Sequence, residues 1–460
     1  MECGSIMEPS CSHTDDRITL QTQPKRSNSR LSSSSSQRAK MVKLRLEQLA
    51  KDLCLIGDRM SVWLLLPINL LIAIFKLLSV YDRARCSCVC KHWKTVYHMP
   101  DLWHQFVFEF HQTTTMSKST PIMLIRQIFE KHTKDIKCVI IKVDGCQQSV
   151  DAACSVLTQL VHCPIHSLQL SSITGQELRS AQSHKFVKAL KGIFVNSDLK
   201  SLNIEETPID DELMAVLATK SQATLRCLRL SNCPMISAAG IASAINNCSH
   251  LYELIIDYTH MSKALLQALC SSTHHKVKHL SVNVTEQDEH MNTQTIPWQS
   301  IGSDTWDLLA HHYPEIKFSL QFYAIKEEFY HHFFCSMMPL TSLSFGCLVP
   351  KIILSRVATQ CTRLTELYIA NSGNEPINEE ILKIARRCPH LKVLELGNCL
   401  MKCYAVVELA KLCGPRLSKL VIHEEASLES QDCDIKTMVS QVSSYMQRTW
   451  NVEYIPIWFE

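Results

Sequence analysis

Three sets of residues in this sequence have side chains able to do chemistry, and their spacing decides what each can do. Cys86, Cys88 and Cys90 alternate along the chain. On a helix that spacing turns the thiols around the axis rather than together, and no histidine stands at finger-like distance, so the run reads as no zinc site. His274-His275, His311-His312 and His331-His332 are adjacent pairs. Adjacent side chains diverge on a strand and on a helix alike, which makes these loop and surface histidines rather than metal ligands. Glu327-Glu328 and Asp210-Asp211-Glu212 read as solvated faces or as negative charge at helix N-termini. There are only 11 glycines and no G-x-x-x-x-G-K run to cradle phosphate, and no Cys–His pair stands in a nucleophile setting. The residues therefore predict no catalytic set, no metal and no cofactor, which leaves binding as the chemistry of the chain.

Two segments are built for binding. In the first, Leu66, Pro67, Leu70, Leu71, Ile74, Phe75 and Leu78 follow one another at three- and four-residue intervals, and Val89, Cys90, Trp93, Leu102 and Trp103 lie just beyond. Pro67 suits the first turn of a helix, where its missing N–H costs little, and the spacing lays hydrocarbon along one face of a small helical hairpin. The stretch Val62–Val80 approaches the roughly 20 residues that span a bilayer, but Pro67, Asn69 and Lys76 interrupt it. A helix buried against a partner explains both the apolarity and the interruptions. The second segment is Ile455-Pro456-Ile457-Trp458 near the C-terminus. A Trp buries a large area with few rotors to freeze, and a preceding proline limits the freedom of the tail. Trp450, Tyr454 and Trp458 have two readings: a cap on the open end of a repeat array, or, for Trp458, an anchor in a partner.

These segments need a scaffold, and the rest of the chain supplies a periodic one. From Ile136 to Ile422 the pattern L-x-x-L-x-L recurs, most clearly from Leu199, Leu225, Leu251, Val277, Leu364, Leu391 and Leu417, at intervals of about 24 to 27 residues within each unbroken run. Weaker copies begin near Ile136, Ile165, Ile316 and Leu340, for about eleven units, with irregular spacing around residues 165–199 and 277–316 that reads as insertions. In Leu225-Leu228-Leu230 the alternation marks a short strand, after which Asn232 is placed to bond open backbone groups at the turn with its amide side chain. Ile241 and Ile245 then follow at helical spacing. Each copy is a strand plus a helix that cannot bury both its faces alone, so the copies must stack into a leucine-rich-repeat solenoid. Cys163, Cys248, Cys361, Cys388 and Cys413 each fall just before the next repeat, where a small thiol packs well.

Composition bounds the rest. The chain has 460 residues, 46% hydrophobic, with a formal net charge of +3. That length exceeds one ordinary domain, and the charge lacks the basic footprint of a protein living on nucleic acid. Residues 1–60 carry Asp15, Asp16, Lys25, Arg26 and the run Ser32–Ser36 where an apolar leader segment would be needed. The 22 cysteines are thus expected to be reduced thiols, in the cytoplasm and nucleus.

The run from Leu66 to Leu78 with Asp82, Val89-Cys90-Lys91, Trp93 and Leu102-Trp103 resembles the F-box, a trihelical module that binds the Skp-family adaptor of cullin-RING ubiquitin ligases. It departs from many F-boxes at Asn69, where they carry an acidic residue. His98-Met99-Pro100-Asp101-Leu102-Trp103, Ala152-Ala153-Cys154, Phe194-Val195-Asn196-Ser197, Thr207-Pro208-Ile209-Asp210-Asp211 and Arg448-Thr449-Trp450 resemble, in order, the cryptochrome-directed circadian branch of the F-box/leucine-rich-repeat proteins. The resemblance covers roughly residues 65–458. Residues 1–58, rich in Ser, Thr, Gln, Arg and Lys, read from their composition as a disordered tail with a short charged helix at 41–53, and the resemblance implies an α/β chain in which that tail leads into an F-box (59–110). A curved solenoid of parallel inner strands and outer helices (111–447) and a C-terminal tail (448–460) then follow. It also implies a non-catalytic substrate receptor: Leu66, Pro67, Leu70, Leu71, Ile74, Phe75, Leu78, Val89, Cys90, Trp93, Leu102 and Trp103 for the adaptor, and Ile455, Pro456, Ile457 and Trp458 for a cryptochrome. The family tail ends at its tryptophan, whereas here Phe459 and Glu460 follow.

Overall fold

The computed structural model describes residue 63 and residues 66–110, 122–144, 146–171, 180–271, 277–285, 301–423, 428–429 and 434–452. Three short helices open it: α1 (Ile68–Lys76), α2 (Val80–Cys86) and α3 (Lys91–Tyr97). The apolar run that approaches membrane-spanning length is thus a helix of 9 residues that stops before Ser79, and among the described residues no helix is long and apolar enough to cross a membrane.

Beyond a single 3-10 turn the chain alternates strand and helix: β1 (Gln105–Phe110), α4 (Ile122–His132), β2 (Cys138–Val143), α5 (Gln147–Leu160), β3 (Ser167–Ser171), α6 (Ser180–Asn196) and β4 (Ser201–Glu205). It continues through α7 (Asp211–Lys220), β5 (Cys227–Ser231), α8 (Ala238–Asn247), β6 (Glu253–Asp257), α9 (Lys263–Leu269), β7 (His279–Thr285), α10 (Ser303–His312) and β8 (Lys317–Ala324). The last units are β9 (Leu340–Leu348), α11 (Lys351–Gln360), β10 (Glu366–Gly373), α12 (Asn378–Arg387), β11 (Val393–Cys399), α13 (Cys403–Cys413), β12 (Lys419–Ile422) and α14 (Ile435–Met446).

The twelve strands form one sheet in strict sequence order, and every pair is parallel. The leucine places of the repeat account for that register. Leu168, Leu202, Leu228, Leu254, Leu280 and Phe318 are successive cross-strand partners, and all are buried. A second ladder runs through Leu320, Leu343, Leu367, Leu394 and Leu420. Alternate strand positions point to opposite faces, so these ladders sit under the helices and the intervening positions stay half exposed, as in the pattern of Cys227–Ser231. A slip of one residue would turn every ladder side chain to water.

Three features refine the sequence reading. β1 falls inside the segment assigned to the helical module, yet it pairs residue for residue with β2 and is the sheet's first strand. Its Phe106, Phe108 and Phe110 fill leucine places with rings stacked 5.4 and 6.4 Å apart. Between β8 and β9 the outer element is a 3-10 segment, Glu327–His332, and a cluster of Tyr258, Phe322, Tyr330, Phe333 and Phe345 fills the volume beneath it. The irregular spacing near residues 165–199 holds the 17-residue α6, while much of that near 277–316 lies outside the described residues.

Asn232 is used differently from the expectation. It adopts a left-handed backbone at φ 51°, a conformation that asparagine tolerates better than most residues. Its backbone N–H, rather than its side chain, makes the turn's bond, donating to the Asp257 carboxylate of the next repeat. Cys163, Cys248, Cys361, Cys388 and Cys413 are buried at the helix ends, and all described cysteines are free thiols. Cys388 Sγ donates to Cys361 O at 3.4 Å and Cys413 Sγ to Leu409 O at 3.1 Å, so these thiols tie backbone as well as fill space. Burial pushes Cys163, Cys248, Cys388 and Cys413 up to about 11, which keeps them protonated.

Candidate docking site

The three N-terminal helices hold together around a very small core, so their caps and pins matter. Pro67 precedes α1 and its carbonyl accepts from the N–H groups of Leu70 and Leu71. Ser79 Oγ accepts from Asp82 N at 3.1 Å to start α2. Cys90 does the same for α3, its Sγ accepting from Trp93 N at 3.4 Å. A thiol is thus spent on a cap that serine or aspartate usually makes.

Inside, Leu71, Phe75, Leu102 and Trp103 are fully or almost fully buried. The Trp93 ring meets Phe75 edge-on at 5.6 Å, and its Nε1 donates to Trp63 O. Trp103 Nε1 donates to Tyr97 O at 2.6 Å, so the indole is both packed and satisfied. These four residues were expected to touch a partner. They have no surface to offer one, because α1 turns that side into the chain's own core.

The outer side carries the free hydrocarbon. Leu70 is 52% exposed and Val89 62%, and Ile68, Leu77 and Tyr81, which the sequence reading did not select, are exposed with them. Pro67 is exposed, whereas Leu66, Ile74, Leu78, Cys90 and Trp93 are half-buried. Leu66, Ile74, Leu78 and Trp93 lean on the core from outside. The spacing found the correct helix but could not phase it, since α1 is apolar on most of its circumference.

Arg83 is the residue that sequence reasoning missed. Its Nε donates to Phe75 O at 2.8 Å and Leu78 O at 3.1 Å, Nη1 to Leu102 O at 2.8 Å and Nη2 to Lys76 O at 3.2 Å. One guanidinium therefore gives a charged donor to carbonyls at and just past the C-terminal end of α1 and ties them to the turn before Trp103, whose ring lies 5.9 Å below it. Burial lowers its pKa from 12.5, partly offset by Tyr97.

The open face of the sheet is polar. Arg229 on β5 pairs with Glu253 on β6 at 2.8 Å, and Asn283 Nδ2 donates to Ser231 Oγ at 3.1 Å. Burial pushes Asp257 up to about 6 against the bonds from Asn232 and Asn283, which pull the other way. Such a face can hold a folded partner by hydrogen bonds. At the far end, Trp450 is buried and its Nε1 donates to Leu420 O at 2.9 Å. Ile455, Pro456, Ile457 and Trp458 lie outside the described residues. Among the described residues no group of three or more His, Cys, Asp or Glu is placed to hold a metal ion.

A trihelical module with an apolar skin, pinned to the first strand of a parallel strand–helix array, defines a docking protein with a separate repeat scaffold. The F-box-like family profile matches residues 63–109. The mouse (Mus musculus) F-box/LRR-repeat protein 21 is 38% identical over 398 residues, covering 86% of this chain and 91% of that protein. The sheep (Ovis aries) protein of the same name is 37% identical over the same length and the same shares of the two chains. The chain belongs to the F-box/LRR-repeat family. The yeast Rad7 and Elc1 crystal structure also matches, at 13% identity and a TM-score of 0.35 over 88% of this chain and 92% of that one, a fit too loose to add to the architecture above.

The exposed residues make the docking face testable apart from the fold. Replacing Leu70 and Val89 together with aspartate is expected to weaken adaptor capture by about 100-fold or more, since each puts a charge where hydrocarbon must be desolvated. The circular dichroism and melting curve should stay those of the parent. Adaptor binding measured by calorimetry and left unchanged would remove this face from consideration.

Proposed function

We propose that the chain is the substrate-receptor subunit of an SCF ubiquitin ligase, holding the Skp-family adaptor with its F-box and a cryptochrome with its repeats and C-terminal tail, and so regulating circadian rhythm. The observation that supports the adaptor half is the exposed apolar set Ile68, Leu70, Leu77, Tyr81 and Val89 on the outside of a helical module whose inner side is packed. The target half rests on the likeness of Ile455-Pro456-Ile457-Trp458 to the tail of the cryptochrome-directed branch. The chain itself transfers nothing. Its contribution is to raise the local concentration of a conjugating enzyme, brought by the cullin, at the target's lysines, in the cytoplasm and nucleus.

The test is a reconstitution. Adaptor, cullin with its RING subunit and this chain are mixed with cryptochrome, activating and conjugating enzymes, ubiquitin and ATP, and ubiquitin transfer is followed together with cryptochrome half-life in cells, for the parent and for Trp458→Ala. Transfer and a shortened half-life, both lost in the variant, are the expected result. Binding accompanied by a lengthened half-life would instead make the chain a protective scaffold on the same surface, and absence of binding would remove the cryptochrome assignment.

A further inference from the structure

The F-box and the first repeat are joined by more than a peptide bond. His98 caps the C-terminal end of α3, and its Nδ1 lies 3.3 Å from Nε2 of His132, in the last turn of α4. The other nitrogen of His132, Nδ1, lies 3.1 Å from the Asp135 carboxylate. The two ring planes differ by 20° and their centroids are 5.5 Å apart. With nitrogens as close as 3.3 Å, a centroid separation that large sets the rings end to end rather than face to face, so the hydrogen bond runs in the ring plane. Trp103 lies against His132 at 4.9 Å and against Phe106 of β1 at 5.2 Å. The chain Asp135, His132, His98 is therefore the polar edge of the aromatic stack that carries the F-box on the solenoid.

The geometry assigns the tautomers. A carboxylate only accepts, so His132 Nδ1 carries a proton and donates to Asp135, which leaves its Nε2 as a lone pair. His98 Nδ1–H must then donate to that lone pair. One added proton is accommodated: on His98 Nε2, or on His132 Nε2 with His98 shifting to its other tautomer, a single N–H still lies between the rings and Asp135 offsets the charge. A second proton sets N–H against N–H and leaves the bond unmade.

We propose that Asp135, His132 and His98 form a proton-operated latch, closed with at most one added proton and opened by a second, that sets how firmly the F-box is held on the repeat array. This inference does not depend on which target the repeats hold. The charged and titratable groups facing His98 are Lys94 on its own helix, Lys131 and His132 on α4, and Asp135 through His132. Tyr97 adds a ring edge at 5.1 Å. Asp101, on the following turn, pairs instead with His104 at 3.9 Å. Burial, then Lys131, His132 and Lys94, lower the His98 pKa below 6.5. The unfolded chain then binds protons first as pH falls, so the stabilisation is complete above 6.5, is weakened below that value by the first proton, and is lost at lower pH still, where a second proton joins a pair already charged.

The test is hydrogen exchange of the full chain at about pH 7.5 and about pH 4.5, with intrinsic rates corrected. In the parent, protection of residues 91–110 and 122–136 should fall about tenfold at the lower pH, the worth of one partly buried hydrogen bond, while β4 to β6 hold theirs. His98→Asn places an amide N–H where Nδ1–H stood but cannot titrate, and it should keep its protection at both values. Asp135→Asn still offers an acceptor to His132 Nδ1–H but removes the offsetting charge, so it should hold the junction at the higher pH and lose more protection than the parent at the lower. Equal protection of the parent at both values, a loss shared by β4 to β6, or a pH-dependent loss that persists in His98→Asn would each overturn the latch.

Discussion

Arg83→Ala is expected to cost about 3 to 4 kcal/mol and to abolish adaptor binding without touching the docking surface. The guanidinium holds four backbone carbonyls, those of Phe75 and Lys76 at the end of α1, of Leu78 just past it and of Leu102, and of these Phe75 O also accepts from Leu78 N. A charged donor to a backbone carbonyl is worth about 1.5 to 3 kcal/mol when buried, and the sharing and partial exposure here keep the total below a simple sum. The three helices form too small a core to absorb that loss, since Leu71, Phe75, Val80, Val96 and Tyr97 are their only buried residues, joined by Leu102 and Trp103 from the turn that follows. Arg83→Lys should restore little, because one ammonium cannot span carbonyls of α1 and of the turn at Leu102 together. Exchange of α1 and α3 with and without adaptor reads the effect. Parental protection in Arg83→Ala would mean that the carbonyls find water instead, and the pin would be dispensable.

Arg83 also shows where sequence reading stops. The repeat ladders were legible because Leu228, Leu254 and Leu280 occupy the same place in successive copies, and parallel stacking of copies puts like beside like. β1 was missed because Phe106, Phe108 and Phe110 alternate with Gln105, Val107 and Glu109 but have no leucine three residues ahead of them. The docking helix was legible as a helix, while its phase was not: Leu70 and Leu71 are neighbours of the same type, one 52% exposed and the other at 0%. Arg83 escaped, and the role of Asn232 was misread, for a shared reason. Each acts on backbone or side chains from another element, and a pattern within one helix or one repeat says nothing of a partner brought in by folding.

Trp450 and Trp458 are the same residue type eight positions apart, and their alanine variants are expected to fail in opposite ways. Past α14 the chain turns at Gln447, whose φ of 56° reverses its direction. Arg448 Nη2 then donates to Leu417 O at 2.8 Å, Trp450 N to Ser443 Oγ at 3.0 Å and Trp450 Nε1 to Leu420 O. Trp450 thereby covers β12, the strand at the end of the sheet, whose unpaired groups would otherwise face water or another sheet. Trp450→Ala should cost about 3 to 5 kcal/mol. Because each repeat touches only its neighbours, the loss should appear as fraying of β11 and β12 in hydrogen exchange and leave β3 to β6 protected. Trp458→Ala, and removal of residues 451–460, should leave the melting curve unchanged and reduce cryptochrome capture by about 30-fold or more, the range of a single aromatic anchor. The two tryptophans share a tail, so Trp450→Ala should also weaken capture, but only together with the fraying. If removing residues 451–460 frayed β12 as Trp450→Ala does, the whole tail would be a cap and the anchor reading of Trp458 would fall.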